Sequence, residues 1–252
     1  MACNPGDGKK PFVMVVLPAF NAERTLAKTI RDIPEGIVDR ILLVDDGSTD
    51  RTVQIATSLG LEVIVHKKNQ GYGANQKTCY DQALASEAEI IVMLHPDYQY
   101  DARLIPAFIP FLQTGVCDLM LGNRIRTRRE AIRNGMPPWK YIGNRALTLF
   151  ENMLLGQNLG EWHSGFRMFH RKLIEIIPYR LNSDDFVFDT QFLVQAVHYG
   201  FRIGDAPVPV RYFEEASSIN FMRSWKYGLE TLKAVGGYIG NRFGLLKLPW
   251  LA

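Results

Sequence analysis

Residues Ile90 to Tyr100 read Ile-Ile-Val-Met-Leu-His-Pro-Asp-Tyr-Gln-Tyr. Five apolar residues stop abruptly at groups able to bind metal or donate hydrogen bonds: His95, Asp97 and Gln99. An unbroken apolar run of this length is a strand buried on both faces, and an open α/β sheet presents its chemistry just past the carboxyl ends of such strands. The pattern occurs once before, where Arg40-Ile-Leu-Leu-Val44 runs into Asp45-Asp-Gly-Ser-Thr-Asp50. Two strands with acidic ends point to one site for a metal-bound phosphate compound.

Outward from these two runs the chain alternates. Strands are predicted over 12–17, 40–44, 62–66, 90–94 and 118–121, and helices over 25–32, 51–59, 74–85 and 101–112. Apolar strands alternating with helices imply an α/β fold with a mainly parallel sheet covered on both faces. After Gly122 comes a basic, loop-like stretch, then helices over 139–155, 172–177 and 188–199. A strand over 201–210 carries Pro207 and Pro209, which confine it to an edge or a bulge. One domain over 1–220, divided functionally near 122, followed by a C-terminal helix and tail over 221–252, accounts for the chain.

The 252 residues suffice for one large domain with a sizeable core. A net charge of +3 gives no argument for nucleic acid. Its distribution says more: Arg124, Arg126, Arg128, Arg129, Arg133, Lys140 and Arg145 are opposed only by Glu130 between Gly122 and Arg145. This is either a solvated helix face or a site for phosphates or anionic head groups. Cys3, Cys79 and Cys117 have no metal-ligand spacing and fit structural thiols in a reducing compartment. The opening MACNPGDGKK lacks the apolar core of a secretion signal, and no apolar run approaches the roughly 18–20 residues that span a bilayer. A cytoplasmic protein, soluble or peripheral on the membrane, is the expectation.

Asp45 and Asp46 stand where a strand-end acid accepts hydrogen bonds from a base or ribose, while Ser48, Thr49 and Asp50 suit a helix cap. Asp97 is the candidate ligand for magnesium or manganese; His95 is either a second ligand or a hydrogen-bonded strand end. Gln99 is placed to orient the metal site or a sugar hydroxyl. Gly71-Tyr-Gly73 opens a helix whose N-terminus either faces a phosphate or closes a plain tight turn. At the C-terminus Phe221, Trp225, Leu229, Leu232, Val235, Ile239 and Phe243 recur at helical spacing, with Arg223, Lys226, Lys233 and Arg242 mostly elsewhere on the wheel. That helix either packs on its own domain or meets a membrane interface or a second copy.

Taken in order, these pieces resemble the inverting family 2 glycosyltransferases of the GT-A fold, and within them the dolichyl-phosphate mannose synthase-like, polyprenyl-phosphate branch. The resemblance covers about residues 11 to 220. It rests on Pro18-Ala-Phe-Asn-Ala-Glu23, Val44-Asp-Asp-Gly-Ser-Thr-Asp50, Asn69-Gln-Gly-Tyr-Gly-Ala74, Asp97-Tyr-Gln99, Gly122-Asn-Arg124, Ser164-Gly-Phe-Arg167 and Ile203-Gly-Asp-Ala-Pro-Val208. It implies a nucleotide-sugar-binding half over 1–122 and an acceptor half over 123–220. It implies that Pro18, Phe20, Asn21, Glu23, Asp45, Asp46, Gly73, Gln99 and Arg211 surround a UDP- or GDP-sugar. Asp97 and the residue two before it would sit on a divalent metal bound to the diphosphate.

The chain departs from the family in two places. His95-Pro-Asp97 replaces Asp-x-Asp, and Arg211 opens a diphosphate segment that lacks the family's lysine. The acceptor decides the rest. A lipid phosphate needs only cations, with Arg124, Arg145 and Arg167 as candidates. A hydroxyl acceptor, on a soluble metabolite or a glycan, needs a base, and Asp184 and Asp185 are the candidates unless they merely cap a helix. A degenerate nucleotide-sugar-binding or scaffold protein, active only with partners, is the rival from another class; a homo-oligomer is a separate expectation.

Overall fold

The computed structural model describes residues 10–125, 127–209, 211 and 221–251. Cys3, Arg126 and the segment after Arg211 up to residue 220 lie outside them. The strands are β1 (Val13–Ala19), β2 (Arg40–Asp45), β3 (Glu62–Val65), β4 (Ile90–Leu94), β5 (Leu119–Asn123), β6 (Phe166–His170) and β7 (Ile203–Pro207). They form one sheet in the order β3-β2-β1-β4-β6-β5-β7. All pairings among the described residues are parallel except those of β6, which runs antiparallel to β4 and to β5. The reversal brings the start of β6 to the edge where its neighbours end, with Phe166 opposite Leu94. Ser164 and Gly165 therefore join Asp45, Asp97 and Asn123 along one rim.

Helices α1 (Leu26–Asp32), α2 (Thr52–Ser58) and α4 (Ile105–Gln113) contribute Leu26, Ala56, Ile105 and Phe108 to one apolar cluster, with Val13, Val15, Leu43 and Val92 from the sheet. Helices α3 (Tyr72–Ala85), α6 (Pro138–Leu155), α7 (Arg171–Ile176), α8 (Phe188–His198) and α9 (Phe221–Arg242) contribute to the other, with Met14, Val16, Ile91 and Met93. Alternate residues of one strand thus feed opposite cores, as the pleat requires. All five residues of β4 are fully buried. β7 pairs only with β5, the edge position its prolines dictate.

The remaining basic helix is α5 (Arg128–Arg133), capped by the Thr127 hydroxyl, which accepts from the Glu130 amide at 3.1 Å. Helix α9 packs on α8 and α6 through Thr231, Val235 and Tyr238, which are buried. The residues expected to form one apolar stripe are divided: Val235 is in the core, while Trp225, Leu229, Leu232 and Phe243 are exposed. No described helix is long and apolar enough to cross a membrane. Cys79 and Cys117 are buried free thiols.

Candidate active site

One side of the rim is built from two loops that fasten each other. The Asn21 amide donates to Ser48 Oγ at 2.8 Å, and the Thr49 amide donates back to Asn21 Oδ1 at 3.0 Å. The Glu23 amide donates to Asp50, and the Arg51 amide to Glu23. Asn21 pays for this position with a left-handed φ of 51°, which asparagine tolerates better than most residues. Asn75 of α3 then bridges the two strands, its Nδ2 donating to the carbonyls of Ala19 and Val44. Pro18 is half-buried beside Val44 of β2, and Phe20 stands exposed at the mouth.

Asp45 and Asp46 are almost wholly buried. Asp45 accepts from the Gly47 and Ser48 amides and the Ser48 hydroxyl. Asp46 accepts from the Gln70 and Gly71 amides, and its Oδ1 lies 2.8 Å from His66 Nδ1. Each carboxylate offers about four acceptor positions, so these three contacts leave roughly one apiece for a ligand. Most of what these acids do is to hold these loops together.

The glycine-rich turn does not present bare amides to a phosphate. Gly73 N donates to the Asp184 carbonyl at 2.7 Å, and Ala74 N points at the same oxygen. A Cβ on Gly73 would lie 2.2 Å from the Ser183 carbonyl oxygen, and one on Gly71 2.4 Å from that of Asp184. The two glycines are there so that the 183–184 backbone can seat on the end of α3. The plain-turn alternative is the one realised.

Past β4 the two metal candidates part. His95 Nε2 lies 2.9 Å from the Tyr72 hydroxyl, which donates to Asp189 at 2.7 Å. The imidazole also lies against Gly165, where a Cβ would come within 2.6 Å of Nδ1. Burial drives its pKa down to about 4. The structure gives His95 the hydrogen-bonded place at the strand end, through Nε2. Asp189 is also bonded by Gln76 at 2.8 Å and paired with Arg167 at 2.5 Å, so Arg167, fully buried, is not a cation for a lipid phosphate. Burial raises the Asp189 carboxyl, but Arg167 outweighs it and the net shift is downward.

Asp97 remains at the rim, partly exposed, accepting from the Gln99 amide at 3.0 Å. Burial pushes its carboxyl up to about 6, against the Gln99 amide and Arg124. No group of three or more acidic, histidine or cysteine side chains among the described residues would hold a metal alone. One destabilised carboxylate suits magnesium or manganese in the mode where the ion is shared with substrate phosphates and water. Gln99 is buried. Arg211 stacks over Tyr98 at 4.2 Å and lies 3.1 Å from Asp32, with its amide donating to the Gln99 carbonyl. It braces this loop, whose Tyr98 has a strained φ of 59°.

On the far side of Asp97, Arg124 is paired with buried Glu161, Nε donating at 2.8 Å, and also donates to the His163 carbonyl. Glu161 accepts from Asn144 of α6 at 3.1 Å. His163 in turn meets Glu151 at 3.2 Å and the Tyr227 hydroxyl of α9 at 2.8 Å. Arg145 donates to the Gly160 carbonyl, bracing the same segment. Asp184 pairs with Lys77 at 2.7 Å. Asp185 caps the Phe186 amide and pairs with Lys226 at 2.6 Å. Burial raises the Asp185 carboxyl, but Lys226 and the amide more than reverse this, so its net shift is down.

The residue that motif reading left out of the site is Lys140. It is half-buried in the first turn of α6, and its ammonium has no hydrogen-bond or ion-pair partner among the described residues. Burial and then Arg124 lower its pKa, opposed by Glu161 and Asp97. It belongs to no short motif; only its place in the basic run marked it.

A sheet of this order, with one reversed strand and an acidic carboxyl rim, defines the GT-A class of nucleotide-sugar-binding folds. The structure of glucosyl-3-phosphoglycerate synthase from Mycobacterium tuberculosis, in complex with Mn2+, UDP and phosphoglyceric acid, superposes with a TM-score of 0.70 at 20% identity, covering 91% of this chain and 79% of that one. The chain belongs to glycosyl transferase family 2, whose profile matches residues 14–177. Among its relatives are a dolichyl-phosphate hexose transferase of Haloferax volcanii, 28% identical over 78% of this chain and 82% of the relative. Another is a UDP-N-acetylglucosamine–dolichyl-phosphate N-acetylglucosaminyltransferase of Methanococcus voltae, 26% identical over 88% and 96%.

Proposed function

We propose that this glycosyltransferase moves a hexosyl unit from a UDP- or GDP-sugar to a polyprenyl phosphate at the cytoplasmic face of a membrane, with inversion at the anomeric carbon. One observation carries the choice of acceptor. Asp184 and Asp185 are tied to lysines, Asp189 to Arg167, and Glu161 is buried with Arg124. None of these carboxylates is poised to take a proton. A phosphate acceptor is already an anion and needs no base, only positive charge to hold it. The two dolichyl-phosphate relatives favour the same acceptor.

In this reading the Asn21–Ser48 and Asp46–Gly71 loops hold the base and ribose, with Phe20 at the mouth. A divalent ion held by Asp97 together with the donor's diphosphate would neutralise the leaving group. Arg124, held in place by Glu161, would stand beside it as an oriented hydrogen-bond donor. The acceptor oxygen then attacks the anomeric carbon from the opposite face, and the nucleoside diphosphate leaves. Asp185→Ala should keep turnover within about threefold of the parent, because only a cap and a surface pair of ~1 kcal/mol or less are lost. An activity loss of several hundredfold with donor binding intact would restore Asp185 as a base and a hydroxyl as the acceptor.

Membrane contact belongs to the same proposal. Ile142, Leu149 and Met153 of α6 and Met222, Trp225, Leu229 and Leu232 of α9 are exposed, and Leu147 approaches Gly228 where the helices meet. Exposed basic residues lie on α9 itself, Arg223, Lys226 and Lys233, and on α5, which packs against α6, Arg128, Arg129 and Arg133. Apolar residues with a cationic rim suit an anionic bilayer surface. The double variant L149E/W225E is expected to lose flotation with anionic vesicles while still glycosylating a short, soluble isoprenyl phosphate. Unchanged flotation would remove this surface from the proposal.

A further inference from the structure

Resting on the phosphate-acceptor reading, we propose that Lys140 is the residue that receives the acceptor's phosphate. The argument begins with the sheet order. Strands β2 and β1, which carry the nucleotide loops, lie on one side of β4, and β6 and β5 lie on the other. A nucleotide sugar that reaches from Asp45 to Asp97 therefore has its diphosphate at the end of β4. Whatever attacks from the opposite face must come from the β5 side, where Arg124 follows the strand and α6 begins.

Lys140 occupies that side. Asn144, one turn further along the same face of α6, donates to Glu161 at 3.1 Å, and Glu161 holds Arg124. Residues four apart share a helix face, so Lys140 is carried toward the same group. Among the other cations here, Arg124, Arg167, Lys77 and Lys226 have carboxylate partners, and Arg145 is turned to the Gly160 carbonyl. Lys140 has none among the described residues, although it is half-buried and within electrostatic reach of Arg124, Glu161 and Asp97. Partial burial of an unpaired ammonium next to a guanidinium is unfavourable in the free protein, and an incoming phosphate relieves it. Lysine also suits the task chemically, as a compact charge on a flexible stem that can follow a phosphate from the bound to the reacting position.

The test uses the full chain with Lys140→Met and Lys140→Arg, titrated calorimetrically with a short isoprenyl monophosphate and with the matching isoprenol. Thermal shifts with UDP- and GDP-sugars are measured in parallel. Lys140→Met is expected to weaken isoprenyl phosphate binding at least tenfold and to raise the acceptor KM by about as much, the scale of one lost charge-assisted hydrogen bond. Lys140→Arg should recover most of that loss, and neither variant should alter the donor shift. Unchanged phosphate affinity in a folded Lys140→Met protein would overturn the assignment, as would loss of the donor shift in place of acceptor affinity. The underlying reading fails separately, if the parent protein binds the isoprenol as tightly as the phosphate.

Discussion

Replacing Asp97 by Asn is expected to cut kcat about a thousandfold, roughly 4 kcal/mol of transition-state stabilisation, while the protein folds and binds its nucleotide moiety. The expectation follows from position. Asp97 ends the fully buried strand β4, stands between the nucleotide loops and the Arg124–Glu161 pair, and is the acid there whose charged form burial disfavours. The sign of the stability effect is opposite to that on catalysis. A carboxyl whose folded pKa is raised to about 6 stabilises the free protein below its ordinary value of 3.8, and that stability is lost as pH rises through about 6. Asp97→Asn should therefore melt a few degrees higher than the parent at pH 7 without ligand, and lose the part of the donor-induced shift that a chelator removes. A variant that retains normal turnover, or that melts lower, would contradict this role; calorimetry and steady-state kinetics at pH 7 read both.

The second large effect lies beneath the site. Arg167→Met should destabilise the fold by about 3–5 kcal/mol, because it strands the buried Asp189 carboxylate without its charge partner. Asp189 also receives Tyr72 and Gln76, and Tyr72 links it to His95, so the rim behind Asp97 should loosen too. A carboxyl with a lowered folded pKa contributes stability above its unfolded value and loses it as pH falls through the folded one. The buried His95, pushed down to about 4, acts in the same direction: its contribution is complete above about 6.5 and declines as pH falls toward 4. Asp97, raised to about 6, opposes His95 over the same pH range, so the acid loss of the parent that Arg167→Met should lessen is the Asp189-dependent part, below the ordinary carboxylate value of 3.8. A Tm within about 2 °C of the parent would show that the pair is dispensable; urea unfolding at several pH values measures both.

The strands and helices of the first half were legible because apolar runs ending in Asp, Gly or Pro leave little choice of period. The reversed strand β6 was not. Phe166-Arg-Met-Phe-His170 carries an arginine in its middle, and Arg167 looks like a site residue until Asp189, on another element, is seen to bury with it. The same blindness to distant partners affected Asp184 and Asp185, whose lysines come from α3 and α9. Asp45 and Asp46 were read as acids free to meet a ligand, and sequence does not show that the loops they anchor take most of their acceptor capacity. His95 was left open as a ligand or a hydrogen-bonded strand end, and its bond to a tyrosine 23 positions earlier is one that sequence could not name. Lys140 was named in the basic run but not singled out from it, because an unpaired side chain is visible only when every neighbour's partner is known. The C-terminal helix was legible in its periodicity but not in which part of its stripe faces the domain.

The most direct test of the account is a transfer assay with labelled UDP- and GDP-hexoses and two acceptors that differ only in the phosphate, a short isoprenyl phosphate and its alcohol. The account predicts a glycosyl phospholipid from the phosphate alone, made from one nucleotide class and retained in Asp185→Ala. Transfer to the alcohol and not to the phosphate, abolished in Asp185→Ala, would contradict it.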